Sequence, residues 1–129
     1  SWFESTLPFD ESESSGAYSI AMMNDLQGVV VGGNYKTPDA KFRNCFVTND
    51  GGKTWKKPLT PPLGYRSCII EHKGVYYCCG TNGLDYSTDD GMNWKSIAKD
   101  KFLSLVVYKN KIYASSTKGR IGRFNIMKK

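Results

Sequence analysis

One histidine, His72, in 129 residues leaves little room for histidine chemistry. A single histidine cannot build a multi-histidine metal site, and its place in the polar turn "EHKG" makes it an expected surface residue, which largely removes Ser–His–Asp triads as well. No apolar run approaches the ~18 residues of a membrane span, so no integral membrane segment is expected. No stretch sustains the 3.6-residue apolar period of a helix. No GxGxxG loop follows a strand-like run, which removes the dinucleotide cofactors. "DYSTDDG", with Asp85, Asp89 and Asp90, does not fit the calcium loop D-x-[DN]-x-[DN]-G. No metal and no cofactor are therefore expected. Asn-x-Ser/Thr is absent as well, and the chain starts at Ser1 without a methionine, so an upstream segment carrying any targeting signal is expected to have been removed.

Cysteine is sparse and unpatterned. Cys45, Cys68, Cys78 and Cys79 show neither the CxxC pairs of a zinc site nor the density of a disulfide scaffold. Neighbouring Cys78 and Cys79 on a strand would point to opposite faces and not to each other. Cys68 could approach Cys78 across a hairpin that turns at "EHKG"; a buried, reduced thiol is the expected state of each.

What the chain does hold is 13 glycines, eight tyrosines and many short apolar runs broken by Gly, Asn, Asp and Pro, a composition that reads as all-β. Its 18 basic and 12 acidic side chains give a net charge of +6. The basic residues (Lys56, Lys57, Lys99, Lys101, Lys109, Lys111, Lys118, Arg120, Arg123) are scattered over turns and strand ends with no aromatic platform among them, so no nucleic-acid partner is expected.

An octapeptide occurs twice. "TNDGGKTW" (48–55) and "STDDGMNW" (87–94) place a hydroxyl residue, an acid, a glycine and a tryptophan at the same offsets, and Asp50 to Asp89 and Trp55 to Trp94 are each 39 residues apart. That period suits one four-stranded unit per repeat. "AYSIAMMNDLQGVVVGGNY", "YRSCIIEHKGVYYCCGTNG" and "FLSLVVYKNKIYASSTKG" repeat an aromatic near a serine, an apolar run, a polar turn and a second apolar run; Tyr18 stands one residue before its serine where the others stand two. In the middle unit the strands read as 65–70, 75–80, 83–87 and 94–98. Such a sheet must stack on neighbours, and radial stacking gives a β-propeller. In each octapeptide the acid can accept backbone N–H groups of its own turn, the glycine can take positive φ and the tryptophan can pack beneath.

The octapeptides resemble the Asp-box, S/T-x-D-x-G-x-x-W, of BNR-repeat propellers of the sialidase-like kind. The matching positions are Thr48, Asp50, Gly52, Trp55, Ser87, Asp89, Gly91 and Trp94. The longer stretch from "GVVVGGNYK" to "YSTDDGMNWKSI" is similar to bacterial BNR-repeat proteins of the photosystem II assembly factor type, some labelled glycosyl hydrolases. The resemblance implies an all-β propeller segment of four-stranded antiparallel blades, with an exported or cell-envelope location. Trp2 resembles the end of a further Asp-box, so residues 1–129 are expected to form one propeller segment, the C-terminal part of a longer ring. Its parts are an outer strand and linker (1–16), a blade (17–58), a second blade (65–98) and an incomplete third (102–125), twelve strands in three blades. Because a propeller typically has four to eight blades, the expected partners are the remaining blades or a second copy of the chain.

Arg66, at the entrance to an inner strand, is the one arginine among Arg43, Arg66, Arg120 and Arg123 placed where a propeller puts functional groups. Tyr65 and Arg66 are candidate central-face binding residues; alternatively Tyr65 packs and Arg66 pairs with a carboxylate. Residues 32–42, "GGNYKTPDAKF", are an insertion relative to the second unit, making Asn34, Tyr35, Lys36 and Asp39 a candidate recognition loop or else a tolerated surface insertion. No facing carboxylate pair is visible, so catalytic residues are unknown. The expected function is a non-catalytic binding or assembly propeller recognising a protein or a glycan. The alternative is part of a sialidase-like glycoside hydrolase whose other catalytic residues lie in further blades.

Overall fold

The computed structural model describes residues 2–129 and contains ten strands. They are β1 (Ser15–Met22), β2 (Gly28–Asn34), β3 (Cys45–Thr48), β4 (Cys68–His72), β5 (Val75–Gly80), β6 (Gly83–Ser87), β7 (Lys95–Ala98), β8 (Ser104–Tyr108), β9 (Lys111–Ser115) and β10 (Ile121–Asn125). All pair antiparallel, in three sheets ordered β1-β2-β3, β4-β5-β6-β7 and β8-β9-β10. The first strands of the three sheets lie side by side, β1 against β4 and β4 against β8, so each sheet packs on the next in chain order.

Period-2 alternation explains how the middle sheet serves two neighbours. Along β5, Tyr76 and Cys78 point to the first sheet and meet Val29, Val31, Cys45, Val47, Ile69 and Trp94. The alternate residues Val75, Tyr77 and Cys79 join Leu84, Phe102, Leu105, Ile112 and Ala114 on the other side. Every residue of β5 is buried for this reason. The hairpin feeding it turns on Lys73 (φ 51°) and Gly74 (φ 82°), two consecutive positive-φ residues as a type I′ turn requires. That two-residue turn sets His72 against Val75 and therefore Cys68 against Cys79. The expected approach of Cys68 to Cys78 is thus off by one position, and Cys78 faces Ile69 instead. His72 also differs from expectation: it ends β4 and is half-buried, with Nε2 out of contact with solvent.

The two octapeptides form matching turns. The Thr48 hydroxyl donates to Asp50 Oδ1 (2.9 Å), Gly52 N–H donates to Thr48 Oγ1 (2.9 Å), Thr54 N–H donates to Asp50 Oδ1 (2.9 Å) and the Trp55 indole donates to the Gly52 carbonyl (3.1 Å). In the second turn Ser87, Asp89, Gly91, Asn93 and Trp94 repeat the pattern at 2.9, 3.1, 2.9 and 2.8 Å. Gly52 and Gly91 sit at φ 90° and 87°, where a side chain is strained. Trp94 is sealed in the core between sheets, whereas Trp55 is half-buried. The chain leaving the first sheet then hugs the second turn: Trp94 N–H donates to the Thr60 carbonyl (3.0 Å), and Leu59 and Thr60 donate to the Met92 carbonyl (2.8 and 3.0 Å).

At the N-terminus the outer strand expected within residues 1–16 is not formed by residues 2–14. Pro8 lacks an N–H for a ladder, and Phe9 N–H closes back on the Leu7 carbonyl at 2.9 Å, a γ-turn that interrupts any extended run. The segment lies on the first sheet instead, with Phe9 edge-on to Phe46 (5.0 Å) and Asp10 paired to Arg43 (3.3 Å). The fourth position of the first sheet is held by a single bridge, Val47 to Lys56.

Candidate functional site

The segment between the first and second sheets, residues 60–66, carries Tyr65 and Arg66 into place. Arg66 N–H donates to the Gly32 carbonyl (2.9 Å), and Tyr65 N–H donates to the Pro38 carbonyl (2.9 Å), which docks the 32–42 loop onto the entrance of β4. The approach is so close that a Cβ on Gly64 would stand 2.1 Å from the Pro38 oxygen. Asn44, buried on the far side, donates to the Pro62 and Gly64 carbonyls (3.0 and 2.8 Å).

Arg66 is fully buried. Its Nε and Nη2 donate to Asp85 Oδ2 at 2.9 and 2.6 Å, and Nη1 donates to Asn82 Oδ1 (2.7 Å) and the Tyr65 carbonyl (2.9 Å). Asn82 in turn donates to Asp39 Oδ1 (2.8 Å) and the Leu63 carbonyl (3.0 Å). A continuous polar chain therefore runs from Asp39 at the surface through Asn82 and Arg66 to Asp85 in the interior. Of the two readings of Arg66 left open by the sequence, the geometry is that of the carboxylate pair: four of the guanidinium's five N–H donors are committed within the protein, two of them to Asp85. Burying two charges is costly; the bonds converging on Asp85 Oδ2 offset part of that cost, while Asp85 Oδ1 is buried without a hydrogen-bond partner.

Three tyrosines converge beside this chain. Tyr65 lies 5.3 Å from Tyr18 and 6.3 Å from Tyr35, and Tyr18 and Tyr35 are 6.4 Å apart, all with edge-to-face tilts of 68–83°. The Ser14 carbonyl ties two of them, accepting from the Tyr18 hydroxyl (3.1 Å) and from Tyr35 N–H (3.2 Å). Tyr18 reaches this position because the β1–β2 register shifts between Ala17 and Ser19, a bulge that re-aims one side chain. Tyr18 and Tyr35 remain 41% and 49% exposed while Tyr65 is half-buried, so the cluster presents aromatic edges on a rigid base. Burial, and then the neighbouring Tyr18, Cys79 and Tyr35, raise the Tyr65 phenol above its ordinary value, which keeps it a neutral donor and acceptor.

The loop residues divide by role. The Asn34 side chain accepts from Lys36 N–H (2.9 Å) in an Asx-type turn, Asp39 is taken up by Asn82, and Tyr35 and Lys36 are exposed. The structure thus brings Tyr65 and the 34–39 loop into one surface. Tyr18 joins this surface, and Asn82 and buried Asp85 support it from beneath, without having been singled out as a set, because their partners stand 16 to 47 positions away in sequence. A cleft of about 860 Å³ lies between the N-terminal segment and the first sheet and is lined by Trp2, Pro8, Phe9, Gly16 and Arg43 among others. Among the described residues no group of three or more His, Cys, Asp or Glu side chains could hold a metal.

The arrangement of sheets has solved counterparts. A structure described as YCF48 bound to D1 peptide superposes with a TM-score of 0.68 at 19% identity, over 92% of this chain and 39% of the other. YCF48 from Cyanidioschyzon merolae matches with a TM-score of 0.63 at 21% identity, over 91% and 35%. The fold is a β-propeller segment. The computationally designed Ika4 protein also matches, at a TM-score of 0.53 and 9% identity, over 98% of this chain and all of its own. No family model matches the sequence, and no curated protein does. At these identities the likeness concerns the fold, and the chain spans less than two-fifths of the length of either YCF48 structure.

Proposed function

We propose that this chain is part of a non-catalytic binding or assembly propeller that holds a protein segment against the Tyr18–Tyr35–Tyr65 surface. The observation that carries the reading is the convergence of three tyrosines from separate stretches, two of them about half exposed, on a base fixed by the Arg66–Asp85 pair. Tyrosine supplies large contact area with a polar tip and few rotamers to freeze, which suits recognition of a peptide. The structural neighbour described with a bound D1 peptide supports a polypeptide over a glycan as the class of ligand. The repeated turns fit the Asp-box role of joining strands at the edge of a blade, and an exported or cell-envelope location accompanies that reading. No helix of the described residues is long and apolar enough to cross a membrane.

The sialidase-like alternative is less supported, because its best-placed arginine is committed to Asp85. The test is to titrate the whole chain against an immobilised array of overlapping peptides and, in parallel, against aryl glycosides that include a sialoside. Peptide binding that weakens at least tenfold in Tyr35→Ala supports the proposal. Hydrolysis of any aryl glycoside by the unaltered chain refutes the non-catalytic reading, and peptide binding indifferent to Tyr35→Ala refutes the site.

A further inference from the structure

Cys68 and Cys79 are direct cross-strand partners on β4 and β5, held in register by the Lys73–Gly74 turn. Partners in an antiparallel pair have Cα atoms about 4.5–5.5 Å apart and side chains on one face. A disulfide needs Cα atoms about 4.4–6.8 Å apart, so the backbone already has the spacing that a bond requires. Cys79 is fully buried between the second and third sheets, and half-buried Cys68 packs against it. Cys45 and Cys78 lie in the other core, on the opposite face of the middle sheet.

We propose that Cys68 and Cys79 are a redox-active dithiol that closes to a cross-strand disulfide when the protein meets a low-molecular-weight disulfide such as oxidised glutathione. The two thiols are unequal in a way that sets their roles. The hydrogen bond from Cys79, opposed by burial and aided by Leu105 N–H and the hydroxyls of Ser104 and Ser19, brings the Cys68 thiol down to about 6. The same contact, and then burial, push the Cys79 thiol well up. Cys68 is therefore the attacking thiolate and Cys79 the resolving thiol. Cys68 Sγ attacks one sulfur of glutathione disulfide, whose S–S bond breaks to release one glutathione thiolate. Cys79 gives its proton to that thiolate or to water, attacks Cys68 Sγ and expels the second glutathione. Two protein thiols are oxidised and one external disulfide is reduced to two thiols. Cys45, held well above its ordinary value by burial, and Cys78, likewise raised by burial, stay inert.

The experiment is to equilibrate the whole chain in mixtures of reduced and oxidised glutathione, block free thiols with an alkylating agent before and after unfolding, and map the linkages by peptide mass spectrometry. The expected result is one intramolecular link, Cys68 to Cys79, with the loss of two hydrogens, and Cys45 and Cys78 alkylated only after unfolding. Cys79→Ser should then accumulate glutathione on Cys68; if that variant does not fold, the linkage map of the unaltered chain decides. Cys68 and Cys79 remaining reduced at saturating oxidised glutathione, a lasting glutathione adduct on Cys68 of the unaltered chain, or a link from Cys68 to Cys78 would each overturn the proposal.

Discussion

Replacing Asp85 by alanine should be the most damaging single truncation near the candidate site. Asp85 Oδ2 accepts from Arg66 Nε (2.9 Å), Arg66 Nη2 (2.6 Å) and, at 3.3 Å, Leu63 N–H. Both members of the ion pair are buried, at 0% and 1% side-chain exposure, so no water takes over when the carboxylate goes. Removing one partner of such a pair costs about 3–5 kcal/mol, because the remaining charge is left without its counter-ion. A domain of this kind has roughly 5–15 kcal/mol in total, so the variant should sit near the edge of folding. Removing both charges together, as Arg66→Met with Asp85→Leu, should recover most of the loss. The assay is urea unfolding followed by tryptophan fluorescence, with the slope compared between variants to establish that only the midpoint moves. A loss below about 1 kcal/mol for Asp85→Ala, or a double variant as unstable as the sum of the two single ones, would refute the account of the pair as a mutually dependent buried unit.

Gly91→Ala should destabilise more than Gly52→Ala although both sit near φ 90°: a Cβ at Gly91 would stand 2.5 Å from Val29 Cγ2, whereas at Gly52 the nearest atom is Trp55 Cζ2 at 3.6 Å. We expect about 1–3 kcal/mol of backbone strain in both and a further ~1–3 kcal/mol of overpacking in Gly91→Ala alone, read from unfolding midpoints. Hydrogen bonds from the Thr54 hydroxyl and Thr54 N–H hold the Asp50 carboxyl down at about 2, below its ordinary value of 3.8. The folded value lies under the unfolded one, so Asp50's contribution is complete above about pH 4 and is lost as the pH falls through 2; Asp50→Asn should flatten that part of the pH–stability curve. Asp89 is lowered too: burial, the largest single influence, opposes the shift, and the bonds from Asn93 and Ser87 outweigh it. Tyr35→Ala should leave the unfolding midpoint within about 0.5 kcal/mol of the parent, since the ring is half exposed, which lets its effect on binding be read separately.

What was legible in the sequence was local or periodic. The side-chain hydrogen bonds that shape the repeated turn close within eight residues, and the 39-residue period places one such turn after the third strand of each of the first two sheets. The insertion at 32–42 and the entry at Tyr65 were visible as separate features, but their union was not, because a Pro38 carbonyl meeting a Tyr65 N–H leaves no compositional trace. Tyr18 stood out only as an aromatic one residue out of step with its counterparts. In three dimensions the register shift beside it re-aims that side chain into the cluster. Cys68 was matched to the wrong partner by one position because the pairing depends on a two-residue turn whose first member, Lys73, is not a typical positive-φ residue. The N-terminal strand failed at Pro8, where a backbone donor is missing.

Strand β5 belongs to both cores at once, Tyr76 and Cys78 on one side and Val75, Tyr77 and Cys79 on the other. Neither interface can open without exposing one face of the same strand, so the three sheets are tied into one thermodynamic unit rather than acting as independent modules. The amides of β5 should accordingly exchange with solvent only when the whole molecule unfolds. Those of β10, whose outer edge pairs with no other strand of the described chain, should exchange first.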